Sequence, residues 1–496
     1  MLRRRVTMKN QNKKVGAMAN WKFWLVVWGM GIAGQLCWNM ENQWFNTFVY
    51  AKIGQQVDVV NWMVILSAFV TTISTFVFGT MADRQGKRKK FVSIGYIIWG
   101  TATILFGTTE FIVKDHKTAS AVAVAGVLVV ITDAVMSFFG SMGYDSGFNV
   151  WLNDHTDDKN AGQVGAALAA LPIFGTIVGT LLGGALVDSG NPTAGTADYD
   201  PSLGNYQLLF WAMGLFVIAM GVISLFLMKD HPTLVPHKEG TFFAQLTEAF
   251  NFKKLKNNPD NREMLWANIV VCAFFIPFNF YFVHMGNWII YDIGFTSGDM
   301  GLIQGIPLLF AVLVTIPFIK LINKDKIPLV TLIAVLANAI GLICIGLFVK
   351  DSTCVDTSNV FVLRNIPILG CVFLVGVGYV LITQAGMIWV RGLFPEENKG
   401  QFEGILVLFF VLIPMLIGTL IGGAIIKNTA QQGTPNYDDY GMLVEVPQEN
   451  LFLIGGLVVL ITLIPLVVAT KLYNKRIAQK KATQAIVDAV NNTTEQ

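Results

Sequence analysis

Long apolar stretches follow one another along nearly the whole chain, and they restrict its fold more than any other feature. The hydrocarbon core of a bilayer is about 30 Å thick, so a helix needs about 20 apolar residues to cross it. With 54% apolar and 14% charged residues among 496, the sequence predicts an all-α membrane protein with twelve transmembrane helices. The predicted spans are 23–50, 60–81, 92–112, 119–151, 163–188, 205–228, 263–291, 299–322, 327–349, 361–391, 401–427 and 450–472.

Positive charge is distributed unevenly between the two sides of these spans. With the N-terminus placed inside, the inner segments hold 29 of the 35 Lys and Arg residues, and the outer loops hold six. Cytoplasmic segments carry the excess of positive charge in membrane proteins. We therefore expect both termini in the cytoplasm and a multi-pass protein of the cytoplasmic (plasma) membrane. No apolar run precedes the first span, which favours a cytoplasmic tail over a cleaved signal peptide.

The loops and the cysteines narrow the class of protein further. No loop is large enough to form a soluble catalytic domain, and no span contains an H-E-x-x-H or G-x-S-x-G grouping. The five cysteines form no C-x-x-C pair, so the sequence predicts neither a disulfide framework nor a metal site. We expect a protein that is not an enzyme, has no cofactor and binds no nucleic acid.

An internal repeat divides the chain into halves. Residues 151–163 match residues 389–401 at an offset of 238, and the sequence GTLLGGA at 179–185 matches GTLIGGA at 418–424 at an offset of 239. Two matches at nearly one offset indicate two six-helix bundles repeated in parallel, the build of transporters with a midplane site. The predicted domains are an N-terminal tail (1–22), a first bundle (23–228), a cytoplasmic linker (229–262), a second bundle (263–472) and a C-terminal tail (473–496).

The loop after the second span carries a recognisable motif. It reads GTMADRQGKRK from Gly79 to Lys89 and resembles the motif G-x-x-x-D-R-x-G-R/K-R/K of the major facilitator superfamily. The positive-inside rule would explain the basic residues, but it would not explain the aspartate and the glycines. The resemblance implies alternating access, with the aspartate facing a helix N-terminus and the arginines in an ion-pair cluster that gates the inner side. The predicted gating residues are Asp83, Arg84, Gly86, Arg88, Arg391 and Glu403.

The fourth span and its loop carry a narrower resemblance. Residues 145–159 read DSGFNVWLNDHTDDK, in which an acid precedes a Phe by three residues and T-x-D follows. This sequence is similar to the signature of the glycoside-pentoside-hexuronide:cation symporters, which implies cation-coupled symport of a sugar or glycoside. Melibiose-type members carry aspartates at the positions of Thr71 and Thr75. Their absence here favours coupling to a proton over coupling to sodium.

Amide side chains recur on one stripe of the first span, at i, i+4, i+7 and i+11 from Gln35. Amides offer paired donors and acceptors, and indole faces cover sugar rings, so the stripe predicts a cavity for a polyhydroxy solute. The alternative is that the amides join helices to one another. The seventh span is polar where a midplane site would form. The predicted substrate-binding residues are Gln35, Trp38, Asn39, Asn42, Asn46, Asn279, Tyr281, His284, Trp288 and Gln384.

Few ionisable groups lie within the predicted spans, and such groups are costly in hydrocarbon and usually functional. Glu41 and Asp145 are the first candidates for the carrier of a transported proton, and Asp133 is the third. His284 is either a partner of one of these acids or a neutral hydrogen-bonding group. An internal salt bridge is the alternative for the acids, but the sequence offers no clear cationic partner at that depth.

Together these features predict a monomeric secondary active transporter that imports a sugar or glycoside with a proton. An uncoupled facilitator, an exporter of another small organic solute and a non-transporting solute sensor of the same fold remain alternatives. Solute accumulation driven by a proton gradient distinguishes a proton-coupled symporter from a facilitator. Solute counterflow distinguishes a transporter from a sensor.

Overall fold

The computed structural model describes residues 21–114, 118–156, 160–196, 198–232, 234–236, 240–243, 260–394, 405–432, 435–438 and 441–494. Within these ranges the chain is helical apart from its loops, and the one extended pairing is an isolated bridge between Tyr437 and Leu443. The predicted all-α membrane fold is confirmed.

Twelve helical segments, α1 to α12, follow the predicted spans in the described part of the chain. Helices α2 to α12 are the eleven that are long and apolar enough to cross a membrane. Helix α1 is equally long, but amides interrupt its apolar surface. The segments are α1 (21–53), α2 (Val57–Gln85), α3 (Lys89–Ile112), α4 (Ala119–Asp154), α5 (Ala161–Asp188), α6 (Tyr206–Leu227), α7 (260–292), α8 (Ser297–Ile322), α9 (Ile327–Phe348), α10 (Leu363–Arg391), α11 (Ile405–Gln431) and α12 (449–494).

Helices α1, α4, α7 and α11 each contain a π-helical turn, a feature that often marks functional sites. One turn of α1, Val49–Ile53, and the turn of α7, Trp288–Asp292, begin 239 residues apart. That separation equals one of the two offsets of the sequence repeat. The equivalent helices of the two halves therefore share a local irregularity as well as their polar character.

The helices form two compact units. The first contains Met1–Leu246, Val283–Gly305 and Ile426–Val446, and the remaining segments form the second. In the first unit α1 packs against α5 and α6, and α3 packs against α4 and α6. In the second unit α9 packs against α10 and α12.

Glycines permit the closest helix contacts within each unit. A Cβ atom at Gly100 of α3 would lie 2.4 Å from the carbonyl oxygen of Gly214 in α6, and one at Gly378 of α10 would lie 2.7 Å from that of Ala334 in α9. Backbones approach this closely only where side chains are small. Because α4 also packs on α3, the α3–α6 pair supports the helix that carries two of the three candidate proton carriers.

Candidate functional site

Glu41 lies in the first unit, where α1 contacts α2 and α4. It belongs to the π-helical turn Met40–Trp44 and is 8% exposed. Its Oε1 atom accepts a hydrogen bond from Ser67 and lies 2.8 Å from the Ser137 hydroxyl, and the two serine hydroxyls are 2.7 Å apart. Asp133, one turn before Ser137, is buried and interacts electrostatically with Glu41. We call Glu41, Ser67, Asp133 and Ser137 the carboxyl cluster.

Two oxygen atoms of the carboxyl cluster lack a hydrogen-bond partner among the described residues. They are Oε2 of Glu41 and Oδ1 of Asp133. The ion pairs of the described residues include neither acid. An ionised carboxylate at membrane depth is costly without a cation, whereas a protonated one carries its own donor. The cluster therefore has the chemistry of a site that can take up and release a proton.

Asp145 lies nearby, in the π-helical turn of α4. Ser141 hydrogen-bonds to it. The Ser141 hydroxyl also lies 2.7 Å from that of Thr75 and 3.1 Å from the carbonyl oxygen of Thr71. The carboxyl cluster is close enough to Asp145 for electrostatic interaction. The structure thus brings the three predicted proton carriers into one region, beside the two threonines that replace the carboxylates of the melibiose-type proteins.

Two amides of the α1 stripe are buried in contacts between helices. The Asn39 amide donates to the Thr180 hydroxyl of α5 at 3.2 Å, and the Asn46 amide donates to the Val283 carbonyl of α7 at 3.1 Å. In return, Asn287 of α7 donates to the backbone carbonyl of Asn46 at 3.3 Å. These are the hydrogen bonds by which amides join membrane helices.

The other predicted residues of α1 keep access to their surroundings. Gln35 and Trp38 are partly exposed and Asn42 is exposed. Gln35 donates to the Tyr144 hydroxyl at 2.8 Å, and Asn42 donates to the Trp38 carbonyl at 2.8 Å. The Trp38 ring lies 5.0 Å from that of Trp99. This accessible face offers amide groups and an indole surface to a ligand.

Two predicted residues of α7, Asn279 and Tyr281, form hydrogen bonds within the second unit. Asn279 donates to the Phe275 carbonyl of the same helix at 2.8 Å. The Tyr281 hydroxyl accepts from the Asn338 amide of α9 at 3.0 Å. Tyr281 therefore joins α7 to α9, whereas the hydrogen bond of Asn279 stays within α7.

His284, Trp288 and Gln384 complete the predicted binding residues. His284 is fully buried, and neither of its ring nitrogens has a partner among the described residues. Trp288 is fully buried at the start of the π-helical turn of α7, and Gln384 of α10 is partly buried. Among the described residues His284 has neither a carboxylate partner nor a neutral hydrogen-bond partner, so both roles considered for it stay predictions.

The loop between α2 and α3 takes part in an ion-pair cluster with the end of α4. The buried guanidinium of Arg88 pairs with Asp83 and, at 3.2 Å, with Asp154 at the end of α4. Gly86 ends α2 with φ +61°, in the left-handed region that glycine adopts without strain. Asp83 thus pairs with Arg88, and Asp154 is a member of the cluster that the sequence did not indicate.

A carboxylate from the segment after α6 occupies the N-terminus of α3. Asp230 accepts hydrogen bonds from the backbone N–H groups of Arg88 at 2.7 Å and Lys89 at 2.8 Å. This is the position where a helix dipole favours an anion. The resemblance implied that the motif aspartate would face a helix N-terminus, but Asp230 takes that position at α3. Arg84 donates to the Gly240 carbonyl at 3.0 Å.

The remaining predicted gating residues are Arg391 and Glu403. Arg391 is the last residue of α10 and is exposed. Glu403 lies outside the described residues.

The sequence profile of the family described as the Major Facilitator Superfamily matches residues 27–353 and 269–491. The chain belongs to the Major Facilitator Superfamily. It is a multi-pass membrane transporter by family and fold. None of the curated proteins matches the sequence.

Solved transporters of similar fold support this assignment. The nucleoside transporter NupG has a TM-score of 0.61 at 13% identity, over 91% of this chain and 100% of that chain. A bacterial homologue of the human lysosomal transporter Spinster has a TM-score of 0.59 at 14% identity, over 92% of this chain and 96% of that chain. A bacterial homologue of the iron transporter ferroportin has a TM-score of 0.56 at 14% identity, over 92% of this chain and 99% of that chain. At such identities the similarity establishes the fold.

One polar contact of this superfamily member was missed by the sequence reasoning. Gln43 of α1 donates to Gln304 of α8, and the Thr180 hydroxyl donates to Gln43 at 2.7 Å. Asn39 donates to the same Gln43 oxygen at 3.4 Å. A signal was available, because Gln43 follows Asn39 by one helical turn and so extends the polar surface of α1.

Proposed function

We propose that this superfamily transporter imports a neutral polyhydroxy solute, a sugar or glycoside, together with a proton across the plasma membrane, acting as a monomer. The carboxyl cluster is the observation that carries the proposal. Two acids lie together among helices, the described hydrogen-bond partners of the Glu41 carboxylate are hydroxyl groups, and neither acid forms an ion pair with a described cation. Proton relays in membrane proteins are built from such intramembrane acids.

The surroundings of Asp145 favour a proton over sodium. Thr71, Thr75 and Ser141 supply neutral oxygen atoms there. Neutral oxygens can ligate sodium, but they cannot neutralise its charge, so a sodium site in this region would depend on one carboxylate. A proton needs a single buried acid, and the region offers three candidates.

The accessible face of α1 supports a neutral solute with several hydroxyl groups. Gln35 and Asn42 present amide groups, and Trp38 presents an indole surface between them. Amides both donate to and accept from hydroxyls, and small-molecule sites combine apolar ring surface with a few such groups. This face carries no charged side chain to neutralise an ionic solute.

Transport into vesicles tests the proposal. A thermal-shift screen of the purified protein against monosaccharides, disaccharides, glycosides and nucleosides first selects the solute, because a bound ligand stabilises by RT ln(1 + [L]/Kd). The selected solute is then offered to vesicles containing the protein, under an imposed pH gradient or an imposed sodium gradient. We expect accumulation with the pH gradient alone. Accumulation that follows sodium and ignores pH overturns proton coupling.

The Glu41→Gln variant identifies the carrier. We expect it to abolish accumulation and to leave counterflow intact, because exchange of solute needs no net proton movement. Glu110→Gln is the matched control, since Glu110 is an acid at the outer end of α3 that lies 3.7 Å from the Lys52 ammonium. Asp145→Asn and Asp133→Asn test the other candidates, and intact accumulation in all three variants removes these acids from the mechanism. Equilibration without accumulation in the parent protein indicates a facilitator, and binding without counterflow indicates a sensor.

A further inference from the structure

The segment that follows α6 lies on the inner surface of the first unit. Its described residues are 229–232, 234–236 and 240–243, which we call the strap. The Trp151 indole N–H of α4 donates to the Lys229 carbonyl at 2.8 Å. Further along, a Cβ atom at Gly86 would lie 2.9 Å from the backbone nitrogen of Pro236. The strap therefore packs directly on the gating loop between α2 and α3.

Two further contacts tie the strap to that loop. The Asp230 carboxylate accepts from the first two N–H groups of α3, and the Arg84 guanidinium holds the Gly240 carbonyl. The gating loop is thus contacted at three points by a segment outside the helix bundle. Movement of the loop requires the strap to move with it or to detach.

A pair of histidines lies where the strap meets the end of α4. The rings of His155 and His231 are 5.1 Å apart and nearly perpendicular, at 89°. His155 is 8% exposed, its ring lies 4.3 Å from that of Trp151, and its Nδ1 atom lies 2.8 Å from the Trp151 carbonyl oxygen. The docked strap therefore places the His231 ring against the buried imidazole of His155.

Burial lowers the pKa of His155 from its ordinary value of 6.5, and the neighbouring His231 acts in the same direction. The Trp151 carbonyl, Asp154 and Asp230 oppose this, but burial is the largest effect. Arg88, the nearby cation, is paired with acids. Since the docked arrangement favours neutral His155, docking is undisturbed above pH 6.5 and weakens as the pH falls below that value.

We propose that the strap is a pH-sensitive latch, docked on the gating loop at neutral pH and released when the inner side becomes acidic and His155 takes up a proton. Histidine is the side chain whose charge changes in this range. Release removes the Asp230 carboxylate from the N-terminus of α3 and breaks the hydrogen bond from Arg84 to the Gly240 carbonyl. The restraint on the gating loop then depends on the internal pH, whichever solute the protein carries.

Fluorescence quenching measures the docking directly in the full-length protein in detergent. The natural cysteines are replaced by serine, and a bimane label is attached to the Pro232→Cys variant, next to His231 in the strap. We expect Trp151 to quench this label while the strap is docked. We expect the ratio of docked to released protein to fall by up to about fivefold between pH 6.5 and 5.5, because the released histidine, at its ordinary pKa, becomes mostly protonated over this interval. The Trp151→Phe variant supplies the unquenched reference.

Two variants separate titration of His155 from a general effect of acid. His155→Phe keeps a ring against Trp151 but cannot be protonated, and we expect it to remain quenched at pH 5.5. Asp230→Asn weakens an anchor that does not depend on His155, so it should lower quenching at every pH and retain the response to acid. Quenching of the parent protein that stays constant from pH 7.5 to 5.5 overturns the proposal, as does release of His155→Phe at the same pH as the parent.

Discussion

Glu41 and Glu263 are buried to a similar degree but have different partners. Glu41 is 8% exposed and Glu263 is 3% exposed, so burial does not distinguish them. The Glu263 carboxylate accepts two hydrogen bonds from the Arg476 guanidinium, at 2.7 and 3.1 Å, and one from the Trp389 indole at 2.9 Å. The carboxyl cluster provides hydroxyl groups and a second acid to Glu41 instead.

The difference separates an acid that holds the structure from an acid that can exchange a proton. A bidentate arginine fixes a carboxylate in its ionised form and orients it. Hydroxyl groups stabilise either form, since they both donate and accept. Glu263 therefore has the environment of a structural ion pair within the second unit. Glu41 has the environment of a group whose charge changes during transport.

The largest expected effect comes from neutralising each acid in turn and measuring the free energy of unfolding in detergent. Glu263→Gln leaves a guanidinium with a neutral acceptor, and we expect a loss of about 2–3 kcal/mol, the range for hydrogen bonds to charged groups. Glu41→Gln exchanges one neutral hydrogen-bonding group for another and should cost below about 1 kcal/mol. A large loss of stability for Glu41→Gln with no loss for Glu263→Gln would reverse the two assignments.

The repeat-related tryptophans give a smaller test of the same contrast. Trp389 donates to the Glu263 carboxylate, whereas Trp151 donates to the backbone carbonyl of Lys229. Both rings are nearly fully buried, so replacement by Phe removes similar packing. We expect Trp389→Phe to destabilise the protein by about 1 kcal/mol more than Trp151→Phe, because hydrogen bonds to charged groups contribute more than neutral ones. Equal losses in thermal unfolding would mean that Glu263 is sufficiently stabilised by Arg476 alone.

The sequence predicted the fold well because membrane helices are defined by local composition. Apolar length placed the spans, and the loop motif indicated the superfamily, without any knowledge of tertiary contacts. The contacts around the two acids depend on helix register. Glu263 and Arg476 are 213 residues apart, and Ser137 is 96 residues from Glu41. Periodicity shows which residues share a face of one helix, but it does not show which face meets which neighbour.

The amide stripe illustrates the same limit within one helix. Asn39 and Asn42 belong to one predicted stripe, yet one is buried against α5 and the other is exposed. A stripe about 100° wide includes both a contact with a neighbouring helix and an open surface. Helix contact, one of the two roles considered for the stripe, is thus present at Asn39, and solute binding stays a prediction for the exposed Asn42.

That division gives the third prediction. Asn42→Ala should weaken binding of the transported solute by about threefold to tenfold, the value of one hydrogen bond to a neutral ligand. Asn39→Ala should lower the unfolding temperature and leave the Kd nearly unchanged, because its amide bonds to Thr180. Binding titrations and thermal unfolding of the same two preparations provide the check. The assignment fails if Asn39→Ala weakens binding while Asn42→Ala has no effect on it.

The smallest effect on stability is expected for Asp83, which has a cation like Glu263 but is largely exposed. Its side chain is 55% exposed, and an ion pair at such a position contributes about 0–1 kcal/mol. Asp83→Asn should therefore leave thermal unfolding nearly unchanged. It should still slow solute exchange several-fold without altering the Kd, because it loosens the Arg88 cluster, to which we assign a gating role. Asp58→Asn is the matched control, since Asp58 is 57% exposed and pairs with Lys427 on the outer side. If both variants exchange solute at the parental rate, the motif loop has no gating role. If only Asp83→Asn is slow, the function of this acid comes from the position of its ion pair, which joins the loop to Asp154 of α4 through Arg88. The strength of the ion pair itself is then of minor importance.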